Sequence, residues 1–434
     1  MNLHRLLLQR EREGRPLRIG LIGAGKFGAM LLSQVRRTPG MRLTAVADLN
    51  AAAAREAMTR VGFTGGELAD VSLFDDGRRL IDSPDVEIVI DATGSPAAGV
   101  THVLACCGAG KHIVMVNVEA DALVGPVLAR KAREAGIVYS LAYGDQPALI
   151  CELVDWARTS GFEVIAAGKG TKYLPAYHAS TPETVWGHYG ITPEDARLGG
   201  LNAQMFNSFL DGTKSAIEMC AVANATGLAA PAGLSFPPCG VDDLPRVLRP
   251  QAEGGQLAHR GQVEVISSLE RDGRPVFRDL RWGVYVVFAA DSEYVRRCFR
   301  EYGLVTDPSG RYSAMYKPYH LIGLELGVSV ASVGLRGEPT GAPEAFNADV
   351  VATAKRDLQV GEMLDGEGGF TVYGRLLPVA QSLSEGALPL GLAHKVRLTR
   401  NVSAGQSLRW SDIEIDDSQP AARLRREMER TAVL

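Results

Sequence analysis

The sequence has no apolar run approaching the roughly 18 residues that a membrane-spanning helix needs. Its first residues, Met1 to Gly14, hold only the short run Leu6-Leu7-Leu8 before charges follow. That is too little for the apolar core of a secretory signal. Basic residues are not in excess: 46 Lys and Arg stand against 50 Asp and Glu, a net charge of -4. No surplus exists to neutralise a phosphate backbone, so nucleic acid is not expected as a main partner. The six cysteines form no C-x-x-C pair, and the adjacent Cys106 and Cys107 fall in a predicted helix, where they read as apolar packing. His178 and His188 lack the spacing of zinc ligands. These absences predict a cytoplasmic protein in reducing surroundings, with no membrane partner.

What is present is ordinary in bulk and particular in detail. Hydrophobic residues make up 46% and charged residues 22%, which excludes a disordered or collagen-like chain. The length of 434 residues suggests three domains at about 150 residues each. Glycine, 48 of 434 residues, exceeds the usual ~7% and implies many tight turns and close backbone approaches.

Strand and helix alternate from Leu17 to Ala167. Strands are predicted at Leu17–Ile22, Leu43–Asp48, Glu87–Asp91, His112–Val116, Ile137–Leu141 and Glu163–Ala167. Helices are predicted at Lys26–Arg37, Ala51–Arg60, Pro96–Cys107, Ala122–Glu134 and Pro147–Thr159. Several strands are apolar without alternation, as when helices cover both faces of a parallel sheet. The fold class is therefore α/β, a doubly wound parallel sheet of Rossmann type over residues 1–150. From 151 to 337 the pattern loosens into long loops, predicted antiparallel strands (Gln262–Leu269, Trp282–Phe288) and a helix at Thr213–Thr226 stopped by Gly227. This reads as an α+β catalytic and dimerisation domain, with its last helix returning to the first domain. A Gly- and Pro-rich linker, Leu335–Ala345, precedes a small β domain over 346–434. That domain contains a weak duplication: Ala354-Lys355-Arg356-Asp357-Leu358-Gln359-Val360-Gly361-Glu362-Met363-Leu364 resembles Leu398-Thr399-Arg400-Asn401-Val402-Ser403-Ala404-Gly405-Gln406-Ser407-Leu408.

The strongest motif is Gly23-Ala24-Gly25-Lys26-Phe27-Gly28, after an apolar strand and opening a helix. Gly23 permits the tight turn, Gly25 lets backbone approach a pyrophosphate, and Gly28 allows close helix packing. Lys26 and Phe27 supply N–H groups at the helix start. Asp48 ends the next predicted strand, at the spacing from the motif where a carboxylate takes the adenosine ribose hydroxyls. It would repel a 2′-phosphate, so NAD is favoured over NADP, although Arg55 is close enough in sequence to reverse this. Thr93 and Gly94 could touch the ribose or pyrophosphate, and Asn117 the nicotinamide side. Equally, Ser95 and Asn117 could cap helices.

Catalytic candidates lie further along. Asp145 would approach the nicotinamide or cap a helix. Lys169 and Lys172, among glycines, could meet an anionic substrate or stabilise a developing alkoxide, or form a solvated basic loop. Asp211, Lys214 and Glu218 share a predicted helical face and could relay a proton, or form an N-cap with a surface pair. His320 could be a general acid or a structural histidine.

Taken in order, Ile19-Gly20-Leu21-Ile22-Gly23-Ala24-Gly25, Ile90-Asp91-Ala92-Thr93-Gly94, Asn117-Val118-Glu119-Ala120-Asp121, Ala167-Gly168-Lys169-Gly170, Asp211-Gly212-Thr213-Lys214, Ala223-Asn224-Ala225-Thr226-Gly227-Leu228, Pro250-Gln251-Ala252-Glu253-Gly254-Gly255 and Pro318-Tyr319-His320-Leu321 carry a resemblance. The chain resembles homoserine-dehydrogenase-like proteins with a C-terminal SAF (antifreeze-like) domain, and among them the deoxyxylulose-phosphate reductoisomerase-like enzymes. The resemblance implies a homodimer, a SAF-like β domain at 346–434, NADPH and a divalent cation, with Lys169 and His320 on a substrate phosphate. Asp145 and Glu218 are our own candidates for metal contacts. Three departures matter. Val118 stands where homoserine dehydrogenases carry lysine, Asp48 where the reductoisomerase-like relatives are basic, and Thr171 where their second lysine falls. The expected activity is an NAD(P)-dependent oxidoreductase of CH–OH groups acting on a sugar acid or sugar phosphate. The alternatives are a ketose-phosphate reductoisomerase and a non-catalytic dinucleotide-binding regulator.

Overall fold

A computed structural model describes residues 2–432. The chain divides into two compact units, Met1–Glu152 with His320–Glu344, and Leu153–Tyr319 with Ala345–Leu434.

The first unit is built on a parallel sheet of β1 (Leu17–Ile22), β2 (Met41–Ala47), β3 (Ser72–Phe74), β4 (Ile88–Asp91), β5 (His112–Met115) and β6 (Tyr139–Leu141). The strand order is β3-β2-β1-β4-β5-β6, all pairs parallel. The order reverses between β1 and β4, and such a switch point opens a crevice at the carboxyl ends of the two strands. Ile19, Leu21, Ile88 and Ile90 are wholly buried, because helices cover both faces. The Gly327–Arg336 helix belongs to this unit and packs Val330, Ala331 and Val333 into the same core as Leu17 and Leu31.

Five of the six predicted strands stand in this sheet with ends shifted by a residue or two. The sixth, at Glu163, does not. The remaining position is taken by β3, whose three residues Ser72, Leu73 and Phe74 are partly or fully exposed. A strand so short and so wet carries no period to read.

The second unit holds a mixed sheet of β7 (Glu163–Thr171), β8 (Gln262–Ser267), β9 (Val284–Ala289) and β10 (Tyr312–Lys317), in the order β10-β9-β7-β8. β9 is antiparallel to β7 and β10, as predicted, but β8 runs parallel to β7, which corrects the expectation of an antiparallel strand there. β8 and β9 are buried throughout, so alternation gave no guide to direction. The Thr213–Thr226 helix is almost entirely buried and ends at Gly227 with φ +72°.

Residues 345–434 group with Leu153–Tyr319 in this same compact unit. β11 (Ala348–Ala354) pairs antiparallel with β13 (Val372–Pro378), while β12 (Met363–Asp365), β14 (His394–Leu398) and β15 (Ile413–Glu414) form a second small sheet. Both strands of the pair are tied to the buried helix. Thr213 Oγ1 accepts the Gly374 N–H at 2.8 Å, and Asn224 Oδ1 accepts the N–H groups of Asn347 and Ala348 at 2.8 and 2.9 Å.

The two duplicated stretches face each other. Leu358 and Val402 exchange backbone hydrogen bonds of 2.8 and 3.0 Å. Asp357 Oδ1 accepts from Ala404 N at 2.9 Å, and Asn401 Oδ1 accepts from Val360 N at 2.8 Å. Gly361 N donates to Leu398 O and Gly405 N to Ala354 O, both at 2.8 Å. Each bond has its counterpart in the other copy, so the pair is approximately two-fold symmetric.

Candidate active site

The glycine motif lies between β1 and the Lys26–Val35 helix, at the switch point. Its three glycines do different things. Gly23 has φ +94°, and a Cβ there would stand 2.8 Å from Ala92 O. A Cβ on Gly28 would fall 2.1 Å from Gly23 O, so turn and helix are in direct backbone contact. Around Gly25 there is nothing within 4 Å. It is exposed, caps the helix with no side-chain acceptor, and leaves the first-turn N–H groups of Lys26, Phe27 and Gly28 for an external anion.

Asp48 is partly exposed at the end of β2. Its Oδ2 accepts the Ala24 N–H and its Oδ1 the Asn50 N–H, both at 2.9 Å. The carboxylate therefore fixes the glycine turn to the neighbouring strand end. Each oxygen keeps a lone pair for a hydroxyl donor. Asn50 caps the Ala51–Arg60 helix, and Leu49 is 96% exposed.

The Thr93 loop is held from beneath. Asp91 is fully buried. Its Oδ1 accepts from Thr93 N at 2.9 Å and Thr93 Oγ1 at 2.7 Å, and His102 Nδ1 lies 2.9 Å from Oδ2. Asn117 is also fully buried. Its Nδ2 donates to Thr93 Oγ1 (3.1 Å) and Ser95 O (2.8 Å), and its Oδ1 accepts from Ala120 N. Asn117 thus caps a helix, the alternative the sequence offered, and braces the loop, while Thr93 and the exposed Gly94 remain at the surface. Asp91 was missed as a positioning residue. Its only sequence signal was its place at a strand end.

Asp145 is buried and accepts the Gln146 N–H at 3.0 Å. His320 is half-buried in a turn segment that runs ahead of the Gly327–Arg336 helix, rather than at a helix start.

The other catalytic candidates lie in the second unit. Lys169, on β7, forms an ion pair with Glu218 on the Thr213–Thr226 helix, their side chains 8% and 2% exposed. Lys172 donates to the His188 carbonyl at 2.5 Å and sits over the Tyr189 ring, and burial followed by the Arg281 charge lowers its pKa.

The expected Asp211–Lys214–Glu218 relay is not formed. Asp211 precedes the helix and pairs with Lys355 at 2.7 Å. Lys355 spends its other protons on Ser180 O and Gly369 O, at 2.8 and 2.7 Å. Glu218 is taken by Lys169, and Lys214 stands partly exposed on the first helical turn. Helical spacing alone could not reveal partners from a strand and from the C-terminal segment. Lys355 was missed; the second copy of the repeat has Thr399 in its place.

Glu218 is closed in its ion pair, and among the described residues no three His, Cys, Asp or Glu side chains gather as a metal site requires. Among the described residues no helix is long and apolar enough to cross a membrane.

Two family models match consecutive parts of the chain. Residues 17–116 match the GFO/IDH/MocA model, an oxidoreductase family with an NAD-binding Rossmann fold, and residues 144–326 match the catalytic domain of oxidoreductase DRL. The nucleotide-binding model thus matches ahead of the catalytic-domain model, in chain order. Residues 346–434, the expected SAF-like part, lie outside both matches. Among solved structures, a probable dehydrogenase from Thermotoga maritima is 15% identical over 74% of this chain and 90% of its own, with a TM-score of 0.37. Scyllo-inositol dehydrogenase from Lactobacillus casei, with bound NAD(H) and scyllo-inositol, is 15% identical over 40% of this chain and 50% of its own, with a TM-score of 0.29. The WlbA dehydrogenase from Bordetella pertussis, in complex with NADH and UDP-GlcNAcA, is 18% identical over 36% of this chain and 47% of its own, with a TM-score of 0.28. The chain spans about half the length of the latter two.

Proposed function

We propose that the protein is an NAD(P)-dependent oxidoreductase that moves a hydride between nicotinamide and a CH–OH carbon of a small polyhydroxylated substrate, a sugar acid or sugar phosphate. The observation that carries the reading is the open space at Gly25 beside the Asp48 clamp, at the switch point of a sheet that precedes a matched catalytic domain. The nucleotide supplies the hydride acceptor or donor. Its pyrophosphate would rest on the Lys26, Phe27 and Gly28 N–H groups, and its adenosine ribose would donate hydroxyls to Asp48. A fixed anion at that position disfavours a 2′-phosphate, so NAD is the preferred form. Lys169, paired with Glu218, would stabilise negative charge on the substrate oxygen together with Lys172. The assembly is proposed as a homodimer, which light scattering on the purified protein checks.

The test is a thermal-shift series with NAD, NADP and a panel of sugar acids and sugar phosphates, followed by turnover read from reduced-nicotinamide absorbance. NAD should raise the melting midpoint and NADP should do so less. Asp48→Asn should weaken NAD by about tenfold and narrow the gap to NADP. No shift with either coenzyme at millimolar concentration would overturn the proposal. NAD binding without turnover on any of the panel would leave a nucleotide-binding regulator.

A further inference from the structure

The two copies of the C-terminal repeat share their backbone bonding but not their charge. In the first copy Glu362 Oε2 accepts the Gln359 N–H at 3.1 Å, and its carboxylate pairs with Arg356. The corresponding residues of the second copy are Gln406, Ser403 and Arg400. Gln406 Oε1 still accepts the Ser403 N–H, at 3.2 Å. The turn closes in the same way, but the amide carries no charge. Asn401 replaces Asp357 in the same sense, keeping the reciprocal backbone bond and losing the carboxylate. The second copy therefore lacks two acidic groups that the first carries while having its arginine, and Arg400 turns instead to Asp412 at 3.0 Å.

Gln406 borders the cleft where that charge is missing. It is a solvent-open cavity of about 330 Å³ whose lining includes Arg375, Arg400, Arg409, Gln406, Ser407 and one acid, Glu385. Among the described residues neither Arg375 nor Arg409 is paired with a carboxylate. Arg375 is oriented by donating to Ala232 O at 3.1 Å, and Glu385 accepts from Gln381 Nε2 at 2.8 Å. Three arginines and one acid line a space the size of a small ligand, and two of those arginines make no ion pair among the described residues. Guanidinium forks fit phosphate oxygens with paired donors, and a cavity of this volume falls at the small end of the range that small-molecule sites occupy.

From the carboxylate missing at Gln406 in this arginine-lined cleft we infer a binding site in the C-terminal segment for a small phosphate-bearing anion, held by Arg375 and Arg409, with Ser407 and the uncharged Gln406 completing it. The site lies within one unit and does not rest on the nucleotide reading.

The test is titration calorimetry on the full chain, saturated with NAD so that the glycine cradle is filled, using inorganic phosphate, pyrophosphate and citrate as probes. Pyrophosphate should bind saturably at one equivalent per chain, inorganic phosphate more weakly, and citrate least. Gln406→Glu should weaken pyrophosphate by at least about tenfold. It should fold normally, because the first copy already carries glutamate at that position. Arg409→Ala should weaken binding similarly, whereas Glu362→Gln, the mirror change in the first copy, should not. Saturable binding that is unchanged in both Gln406→Glu and Arg409→Ala would overturn the site. So would an absence of saturable binding, or binding of citrate in preference to pyrophosphate. If NAD itself does not bind, the difference between wild type and Gln406→Glu still isolates this cleft from the cradle.

Discussion

Lys355 and Asp211 form a closed ion pair, Nζ to Oδ2 2.7 Å, with side chains 2% and 0% exposed. The two belong to segments read from sequence as separate domains, and the pair welds them. Lys355 also ties down two carbonyls from different loops. Removing one partner of such a pair strands the other charge. Lys355→Met should therefore destabilise the protein by about 3–5 kcal/mol. Urea denaturation should show residues 153–319 and 345–432 unfolding in one transition at a lower midpoint. Two separate transitions in the wild type would contradict a single unit.

The glycines of the cradle make opposite predictions. Gly25→Val adds a side chain into empty space, where it meets no protein atom within 4 Å of its Cβ. The unliganded melting temperature should hardly change, while NAD affinity falls by two orders of magnitude or about 3 kcal/mol. Gly28→Ala instead drives a Cβ against Gly23 O. It should lower the unliganded melting temperature by several degrees, as a core clash of roughly 1–3 kcal/mol does in a domain of this size. Equal losses of stability in the two variants would refute this division of labour.

Asp121 gives the pH prediction. It is wholly buried in the Val118–Glu134 helix, accepts a hydrogen bond from Tyr139 at 2.8 Å, and has its second oxygen unpartnered. Burial pushes its pKa up to about 7 from 3.8. Below about pH 3 both folded and unfolded chains hold the proton and nothing is lost. Between about 3 and 7 the unfolded chain ionises while the folded one does not, so stability falls, and above 7 the loss levels off. Asp121→Asn keeps the acceptor for Tyr139 and cannot ionise. Its stability gain over wild type should be near zero at about pH 3 and grow to roughly 2 kcal/mol or more by about pH 7. A gain independent of pH would show that burial of the charge is not the cause.

What the sequence made legible follows from the range of each interaction. Five of the six Rossmann strands, the glycine turn and the Asp48 position carry their signal in residues close in sequence, and these were readable. The Gly227 stop and the duplication were readable for the same reason. The direction of β8, the short exposed β3, and the partners of Asp211, Glu218 and Lys169 depend on contacts between distant segments, which no local period encodes. The capping role of Asn117 was readable from its place after β5, but its full burial against the Thr93 loop was not.

The Lys169–Glu218 pair allows chemistry and architecture to be separated. If Lys169 only fills its site, Lys169→Met should cost stability and leave turnover per folded molecule intact. If it stabilises charge on the substrate oxygen, kcat should fall by two to three orders of magnitude, as removal of one oxyanion donor does elsewhere, with NAD affinity unchanged. Glu218→Gln is the sharper probe. It leaves the lysine in place but removes the carboxylate that pairs with it. If the lysine acts on the substrate oxygen, kcat should then fall at least about tenfold with the KM for NAD unchanged. A Glu218→Gln variant with reduced stability and an unchanged kcat would leave Lys169 a structural residue, and the charge-stabilising role would have to pass to another cation.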